Sequence, residues 1–564
     1  MRAASLAIAV ALTLLPGSAP AQEDDRDYLT AFLEDNLSGD NQKVTITGFE
    51  GALSSRATMS RLQIADADGV WLTLDDVVLD WSRSSLLSGE LEVNELSAAT
   101  ITLDRLPAPA TDTTPAPEAG SFALPDLPVS VVISKVDAPR IILGPSLLGE
   151  PVEGRFEASL SLISGTGKAS VVLERTDGPV SRITLDAGYE NASTQLTLDL
   201  HATEQAGGIA ARMLGLPGTP SVDLAITGAG PLDDFAADVQ LASDGVDRLA
   251  GKVTLRGGEE GATDFAADLS GDLAPLFLPD YAAFLGDKVV LTLAGSRAAG
   301  GRVALDQLQL AARALDLNGS ALIAGDGLPL ALDLTIRIGT PDGLPVLLPL
   351  TSDTRLRTAD LTLRFDAAKD SAWSLKGLLS GLQRPDLTLD QAQLTGSGRI
   401  SRTAGRNTLG GTFGLQAEGL ALADMALQQA IGPALSAKAV LYWREGDSSL
   451  SLPQLTLTGA DYSATAHLRI GGLDSALQTS GKATITAADL RRFAAVAGLP
   501  SLAGAATIAM EGEGSTLTGA FDLALALDST SLRIGISQAD RLLSGPARLT
   551  GAARRDETGT TLRA

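Results

Sequence analysis

Along most of this chain, apolar residues recur at every second position. Between Val44 and Leu103 the runs are Val44-Ile46, Leu62-Ile64, Val70-Leu72-Leu74, Val77-Leu79-Trp81, Leu91-Val93 and Ile101-Leu103, interleaved mainly with Thr, Asp, Glu and Gln. A period of two is the signature of β-strands with one face buried and one face wet. Turn signals separate the runs at Asp66-Ala67-Asp68-Gly69, at Ser82 to Ser85 and at Ser88-Gly89. The design continues almost to Ala564, for example in Leu196-Leu198-Leu200, Val222-Leu224-Ile226, Leu330-Leu332-Leu334-Ile336-Ile338 and Leu523-Leu525-Leu527. No run is apolar on both faces, which excludes a doubly wound parallel sheet. The pattern predicts a mostly β protein: an elongated, curled sheet of antiparallel type with an aliphatic interior and a few short helices. Leu72, Leu74, Leu196, Leu198, Val222, Leu224, Ile226, Leu332, Leu334, Leu523 and Leu525 are the candidate lining of that interior.

Short helical stretches punctuate the strands at Ala210 to Gly215, Tyr281 to Gly286, Leu427 to Gly432 and Phe493 to Gly498, each closed by a glycine. Leu344 to Leu350 is an apolar candidate for a fifth. Two units align directly. Gly215-Leu216-Pro217 matches Gly498-Leu499-Pro500, Gly228 and Gly230 match Gly512 and Gly514, and Asp238-Val239 with Leu241 matches Asp522-Leu523 with Leu525. A degenerate repeat of roughly 70 residues places the chain among quasi-one-dimensional architectures.

The N-terminus changes the picture of where the protein works. Met1-Arg2 is basic, Leu6 to Leu15 is apolar, Pro16-Gly17 breaks the run, and Ala19-Pro20-Ala21 offers small residues. Residues 1–21 read as a secretory signal cleaved between Ala21 and Gln22, with an uncleaved signal-anchor as the alternative. The apolar run is shorter than the roughly 20 residues that span a bilayer. Residues 22–40 follow as an amphipathic helix with Tyr28, Leu29, Phe32, Leu33 and Leu37 on one side. It is either a plug for the open end of the sheet or a membrane-surface helix. The first meander then occupies 41–106, a Pro-rich linker 107–128, and the repeats 129–564.

Composition and charge narrow the chemistry. The chain is 45% hydrophobic but only 4% aromatic, so its apolar face is aliphatic. A net charge of -25 excludes nucleic acid as a partner, since phosphate binding needs basic patches. There is no cysteine, hence no disulfide and no thiolate metal site. The two histidines, His201 and His467, each adjoin an alternating strand and read as solvent-facing. Gly165 to Ser170 fails as a phosphate loop, with Leu162 and Ala169 at the diagnostic positions, and reads as a turn. No nucleophile elbow occurs. The expectation is a non-enzyme without cofactor.

What remains is the apolar face. It either packs against a second sheet as a dry structural solenoid and protein-binding scaffold, or curls into a trough that holds a ligand. Dry cores draw on bulky aromatics to fill volume. A trough of aliphatic side chains suits acyl tails, which need desolvation and no directional contacts.

The stretch Val44 to Leu96 also carries a resemblance. Val44-Thr-Ile46-Thr-Gly48-Phe49-Glu50-Gly51-Ala52-Leu53, then Leu62-Gln-Ile64-Ala-Asp66, then Gly69-Val70-Trp71-Leu72 through Val77-Val78-Leu79-Asp80-Trp81-Ser82, then Leu86-Leu87-Ser88-Gly89-Glu90-Leu91-Glu92-Val93, resembles the N-terminal region of the TamB family in its alphaproteobacterial form, within the AsmA-like or bridge-like proteins. The resemblance is specific over about residues 28–106 and one of style beyond them. It implies a taco-shaped β-groove in the periplasm of a Gram-negative bacterium, tied to the inner membrane at its N-terminal end. It implies an outer-membrane barrel partner of the TamA kind, and a part in outer-membrane protein and autotransporter assembly and in phospholipid transport between the membranes. The family has no catalytic residues to carry over. Its members are longer, so the chain is expected to stop short of the family's C-terminal domain.

Overall fold

The computed structural model describes residues 42–51, 55–107, 130–258, 261–277, 279–350, 353–403, 406–472, 478–515, 520–556 and 559–563, together with Ser38 and Leu124. The expected signal with Ala21 and Gln22, the expected helix in 22–40 and nearly all of the Pro-rich segment lie outside these residues. The protein is mostly β, 66% strand against 9% helix, as alternation required. It divides into two compact units, one holding residues up to Leu278 and Val290–Gly301, the other Pro279–Val289 and residues from Arg302. The division falls inside the stretch expected as one run of repeats, not at the Pro-rich segment.

The first unit contains β1 (Lys43–Thr47), β2 (Arg56–Asp66), β3 (Gly69–Ser82), β4 (Glu90–Leu103), β5 (Ser130–Leu143), β6 (Val152–Ile163), β7 (Thr166–Arg175), β8 (Ser181–Glu190), β9 (Gln195–Glu204), β10 (Val222–Pro231), β11 (Asp234–Ser243), β12 (Val246–Gly257), β13 (Thr263–Gly271) and β14 (Val289–Arg297). The second contains β15 (Val303–Ala312), β16 (Leu315–Ile323), β17 (Pro329–Gly339), β18 (Val346–Leu347), β19 (Arg355–Leu356), β20 (Thr358–Asp366), β21 (Ala372–Gln383), β22 (Leu387–Thr403), β23 (Arg406–Glu418), β24 (Ala421–Leu422), β25 (Ala434–Arg444), β26 (Ser449–Thr458), β27 (Tyr462–Gly471), β28 (Gln478–Ala487), β29 (Ala506–Ser515), β30 (Phe521–Ser529), β31 (Ala547–Asp556) and β32 (Gly559–Arg563). From β1 to β13 and from β15 to β32 a strand pairs with the next long strand in sequence, and the sheet is open. Tight turns make this possible. Ser164-Gly165 and Asp244-Gly245 both have positive φ at each residue, the backbone of the two-residue hairpin turn that matches strand twist.

One pairing departs from the antiparallel expectation: β4 and β5 are parallel, with Leu91 beside Val131, Leu96 beside Val136 and Leu103 beside Leu143. Parallel neighbours need a crossover of a dozen residues or more. The residues between Leu103 and Ser130 join these two adjacent strands in sequence. Among them Leu124 is held by Asn191, whose Oδ1 accepts its N–H at 2.8 Å and whose Nδ2 donates to its carbonyl at 2.9 Å.

The six apolar runs of Val44 to Leu103 lie on four strands, because β3 and β4 each carry two. In β3 the apolar positions step by three between Leu74 and Val77, across Asp76 at φ +51°. The same step recurs opposite, since Met59 pairs with Val77 and Leu62 with Leu74. In β5 it occurs twice, at Ile133/Val136 and Ala138/Ile141, where the ladder with the strictly alternating β6 shows bulges.

Six short helices occur among the described residues: α1 (Pro145–Leu148), α2 (Ile209–Met213), α3 (Ala282–Leu285), α4 (Met425–Ile431), α5 (Ala494–Ala497) and α6 (Ser537–Leu542). Four match the expected punctuations. The fifth candidate, Leu344 to Leu350, holds Pro345 and Pro349, and it forms the small β18–β19 hairpin instead of a helix. Within each unit these insertions join strand ends at one rim, alongside tight turns such as Asp244-Gly245, while the described connections at the other rim are short turns. The fully buried apolar clusters lie at the helical rim. Phe284 packs with Ala314, Val346, Leu356 and Ala359, and Leu490 with Ala487, Ala494, Leu502, Ala506 and Leu532. Alanine at the strand ends leaves room for the insertion to fold over the sheet. Arg492 ties two neighbouring insertions together: its Nη1 donates to the Ala430 carbonyl at 2.7 Å, it pairs with Asp461, and its guanidinium lies 4.9 Å from the Tyr462 ring centre. Burial pushes the Tyr462 hydroxyl up from its ordinary pKa.

Helix α4 is capped by Asp424, whose side chain accepts from the N–H groups of Ala426 at 2.8 Å and Leu427 at 3.0 Å. Asp424→Ala should cost about 1 kcal/mol locally. Hydrogen exchange at the Leu427 and Gln428 amides should rise about fivefold, with the strands around Leu334 unchanged; unchanged α4 amides would show that the cap contributes nothing.

Candidate functional site

Ladder partners in a sheet project to the same face, so the register decides which residues form a surface. In the second unit one row can be followed from strand to strand: Leu334, Leu363, Leu375, Gly396, Phe413, Ala439, Leu455, Ala466, Ala483, Met510, Leu525 and Gly551. Every member is apolar or glycine. The row one residue over, on the opposite face, is Thr335, Thr362, Lys376, Thr395, Gly414, Lys438, Thr456, Thr465 and Thr484. The first unit repeats the contrast. Trp81, Val93, Ile133, Leu160, Ala169, Ala187, Leu198, Gly228, Ala237, Val253 and Ala267 form one row without a polar side chain.

Ten of the eleven expected lining residues have only apolar or glycine ladder partners, while Val222 lies between Glu204 and Ser243. Leu332 and Leu334 share a face with Phe365 and Leu363, and Leu523 and Leu525 with Gly512 and Met510. In the first unit Leu196 and Leu198 pair with Gly230 and Gly228, while Val222, Leu224 and Ile226 face Ser243, Leu241 and Val239. Leu72 and Leu74 sit between Ile64 and Leu62 on one side and Leu103 and Ile101 on the other. All eleven are half-buried, neither sealed nor freely exposed. The units bring together two sets, Leu72 to Ile226 and Leu332 to Leu525.

Glycines deepen this face where large side chains cross it. Trp373 lies over a floor of Gly396, Gly398 and Gly411, and a Cβ at Gly411 would collide with its ring. A cavity of about 340 Å³ opens on the apolar side between Leu468, Ala483, Met510, Phe521 and Leu523. A larger concavity of about 940 Å³ opens in the first unit along the apolar-row residues Ile133, Leu160, Ala169, Ala187, Leu198 and Gly228, with Lys168, Asp186 and Asp199 beside them.

The polar face is tied by cross-strand ion pairs, including Arg364–Asp333 at 3.1 Å, Lys482–Glu511 at 2.9 Å, Lys252–Asp238 at 3.4 Å and Arg140–Glu153 at 2.6 Å. The Arg140 hydrogen bond holds the Glu153 carboxyl below the usual carboxylate range. His201 lies on this face, half-exposed and 3.0 Å from Asp199, and His467 shares it, paired across the ladder with Lys482. Among the described residues no three His, Cys, Asp or Glu side chains converge as metal ligands, and no helix is long and apolar enough to cross a membrane.

Sequence reasoning missed two charged residues in the apolar phase. Alternation along β7 runs Ala169, Val171, Leu173, Arg175, and along β9 it runs Leu198, Leu200, Ala202, Glu204. Both charges end up nine-tenths buried at the helical rim. A charge in an apolar register position was the available signal. Glu204 accepts from the N–H groups of Ile209, Ala210 and Ala211 at the start of α2, which satisfies its charge. Comparison with family models, with curated proteins and with solved structures found no match to this chain.

The absence of cysteine makes the two faces directly measurable. Single variants Asp333→Cys and Leu334→Cys should differ several-fold in their reaction with a water-soluble maleimide, the first faster. Equal rates would refute the assignment of faces.

Proposed function

We propose that the apolar face of each unit is a trough for acyl chains, and that the protein is a periplasmic β-groove subunit of the TamB type. The observation that supports this reading is the unbroken row of apolar residues and glycines from Leu334 to Leu525, half-buried except at the buried Ala466, with the Thr- and Lys-rich row from Thr335 to Thr484 on the opposite face. Such a row gives an aliphatic chain contact without directional demands. Each methylene kept out of water retains about 0.8 kcal/mol. The resemblance of Val44 to Leu96 supplies the setting: attachment to the inner membrane of a Gram-negative bacterium, a TamA-like barrel in the outer membrane, phospholipid acyl chains as cargo, and assistance to outer-membrane protein and autotransporter assembly. On this reading the protein is not an enzyme and works without cofactor.

A second reading has one observation in its favour. The opposite face, with cross-strand ion pairs such as Arg364–Asp333 and Lys482–Glu511, is a charged surface that suits a protein-binding scaffold whose apolar face is merely structural.

Native mass spectrometry of the purified chain should find bound phospholipid. Leu224→Asp and Leu332→Asp should each reduce it while leaving exchange in distant strands unaltered. Lipid-free protein together with silent variants would sink the trough and leave the scaffold. Photoreactive residues on alternate strand positions separate the two independently: lipid captured by apolar-row positions supports the trough, and only protein captured there supports the scaffold.

A further inference from the structure

At the helical rim of the first unit, α1 and α2 roof a small cavity of about 220 Å³. Its walls are apolar, with Ile141, Leu143, Leu148, Leu173, Ile183 and Met213 prominent among them. It is continuous with the apolar rows: Ile141 is the ladder partner of Ile101, which pairs with Leu74, and Ile183 pairs with Ala202, which pairs with Leu224. Two charged residues also line it, Arg175 and Glu204.

Arg175 is the unusual member. Its side chain is 9% exposed, and its strand neighbour on β6 is Gly154, so no side chain stands over it there. Nε donates to Asp177 Oδ1 at 2.7 Å, and Nη2 lies 3.5 Å from Glu150 Oε1, which Arg212 also engages. Nη1 is buried and has no hydrogen-bond partner among the described residues. Buried donors are nearly always satisfied, so a buried, unpaired guanidinium nitrogen on a residue that lines an apolar cavity marks the place of a missing acceptor.

The charges around it select which acceptor. Asp177 and Glu150 already neutralise Arg175, and Glu204 is a further carboxylate on the cavity wall. A free carboxylate or phosphate entering there would meet net negative charge and lose its hydration. An uncharged carbonyl oxygen on an aliphatic chain meets neither obstacle. We propose that this cavity is a subsite for an esterified acyl chain, in which Arg175 Nη1 donates to the ester carbonyl and the roofed pocket takes the adjoining methylenes. The proposal rests on the trough reading and sharpens it: the ligand is an acyl ester, not a free fatty acid.

The test uses the full chain and two probes with the same diazirine-bearing acyl chain, a monoacylglycerol and the free fatty acid. After irradiation, labelled peptides are mapped. The ester should label residues 141–152 and 209–213 about tenfold more than the acid, the factor one hydrogen bond from a charged donor supplies. Arg175→Met should remove that preference, with labelling around Leu334 unchanged. Because Arg175 also holds Asp177, Met213→Trp serves as a second variant; Met213 is 60% exposed at the cavity's edge. The tryptophan should exclude both probes from the cavity without disturbing the strands. Equal labelling by acid and ester, ester labelling that survives Arg175→Met in folded protein, or cavity labelling indifferent to Met213→Trp overturns the proposal. Labelling of the second unit with none at the cavity overturns it alone, and no labelling in either unit overturns the trough as well.

Discussion

Because side chains alternate between faces along a strand, a slip of one residue in any ladder would exchange an apolar row for a polar one. The molecule depends on that register being kept through strand after strand. From Leu334 to Leu525 no partner breaks it, and where a strand carries an extra residue, as β5 does against β6, the bulge absorbs the change. The stacked steps at Met59/Leu62 and Leu74/Val77 show the same constraint in another form, since a shift of phase on β2 is matched on β3.

A one-sided sheet must still place its best-buried residues somewhere, and here they gather at one rim. Alanines at strand ends, such as Ala359, Ala487 and Ala506, admit the inserted helices and the β18–β19 hairpin. Those clusters supply rigid packing, while the middle of the apolar face stays half-buried. On the proposed trough reading a sealed core would leave no room for an acyl chain, and a bare face would invite association with other apolar surfaces. The division between rim and face avoids both. It also explains why the few aromatics sit where they do. Trp373 and Phe413, with ring centres 5.0 Å apart, fill the space above a glycine floor instead of forming a general core.

Much of this was legible in the sequence. Strict alternation assigned the faces, and ten of the eleven candidate lining residues have only apolar or glycine ladder partners, Val222 being the exception between Glu204 and Ser243. Four of the six helices among the described residues were expected, each from a closing glycine. The remainder escaped for physical reasons. The parallel β4–β5 pair is set by where the crossover returns the chain, which local pattern does not encode. Steps of three, as at Leu74/Val77, look like a strand break although the hydrogen bonding continues. The helix at Pro145–Leu148 is a single turn, too short for periodicity to declare. Arg175 and Glu204 were legible in principle, as charges in an apolar phase, yet their meaning comes from α1 and α2 folding over them. The family resemblance of Val44 to Leu96 rests on those residues alone and stands as a proposal.

The charges of the polar face follow from the same demand for register. Pairs such as Arg364–Asp333 and Lys252–Asp238 are well exposed, and an exposed pair is worth about 0 to 1 kcal/mol at best. They add little stability to the correct sheet. In a sheet slipped by one residue, however, the same side chains would enter the apolar rows, where an ion loses its hydration at a cost of several kcal/mol. Every Asp, Arg or Lys between the leucines therefore acts chiefly against the wrong alignment. With a net charge of -25 the pattern also carries self-repulsion. A sheet this repetitive tolerates that repulsion because the alternative is a sequence of nearly equivalent registers with nothing to choose among them.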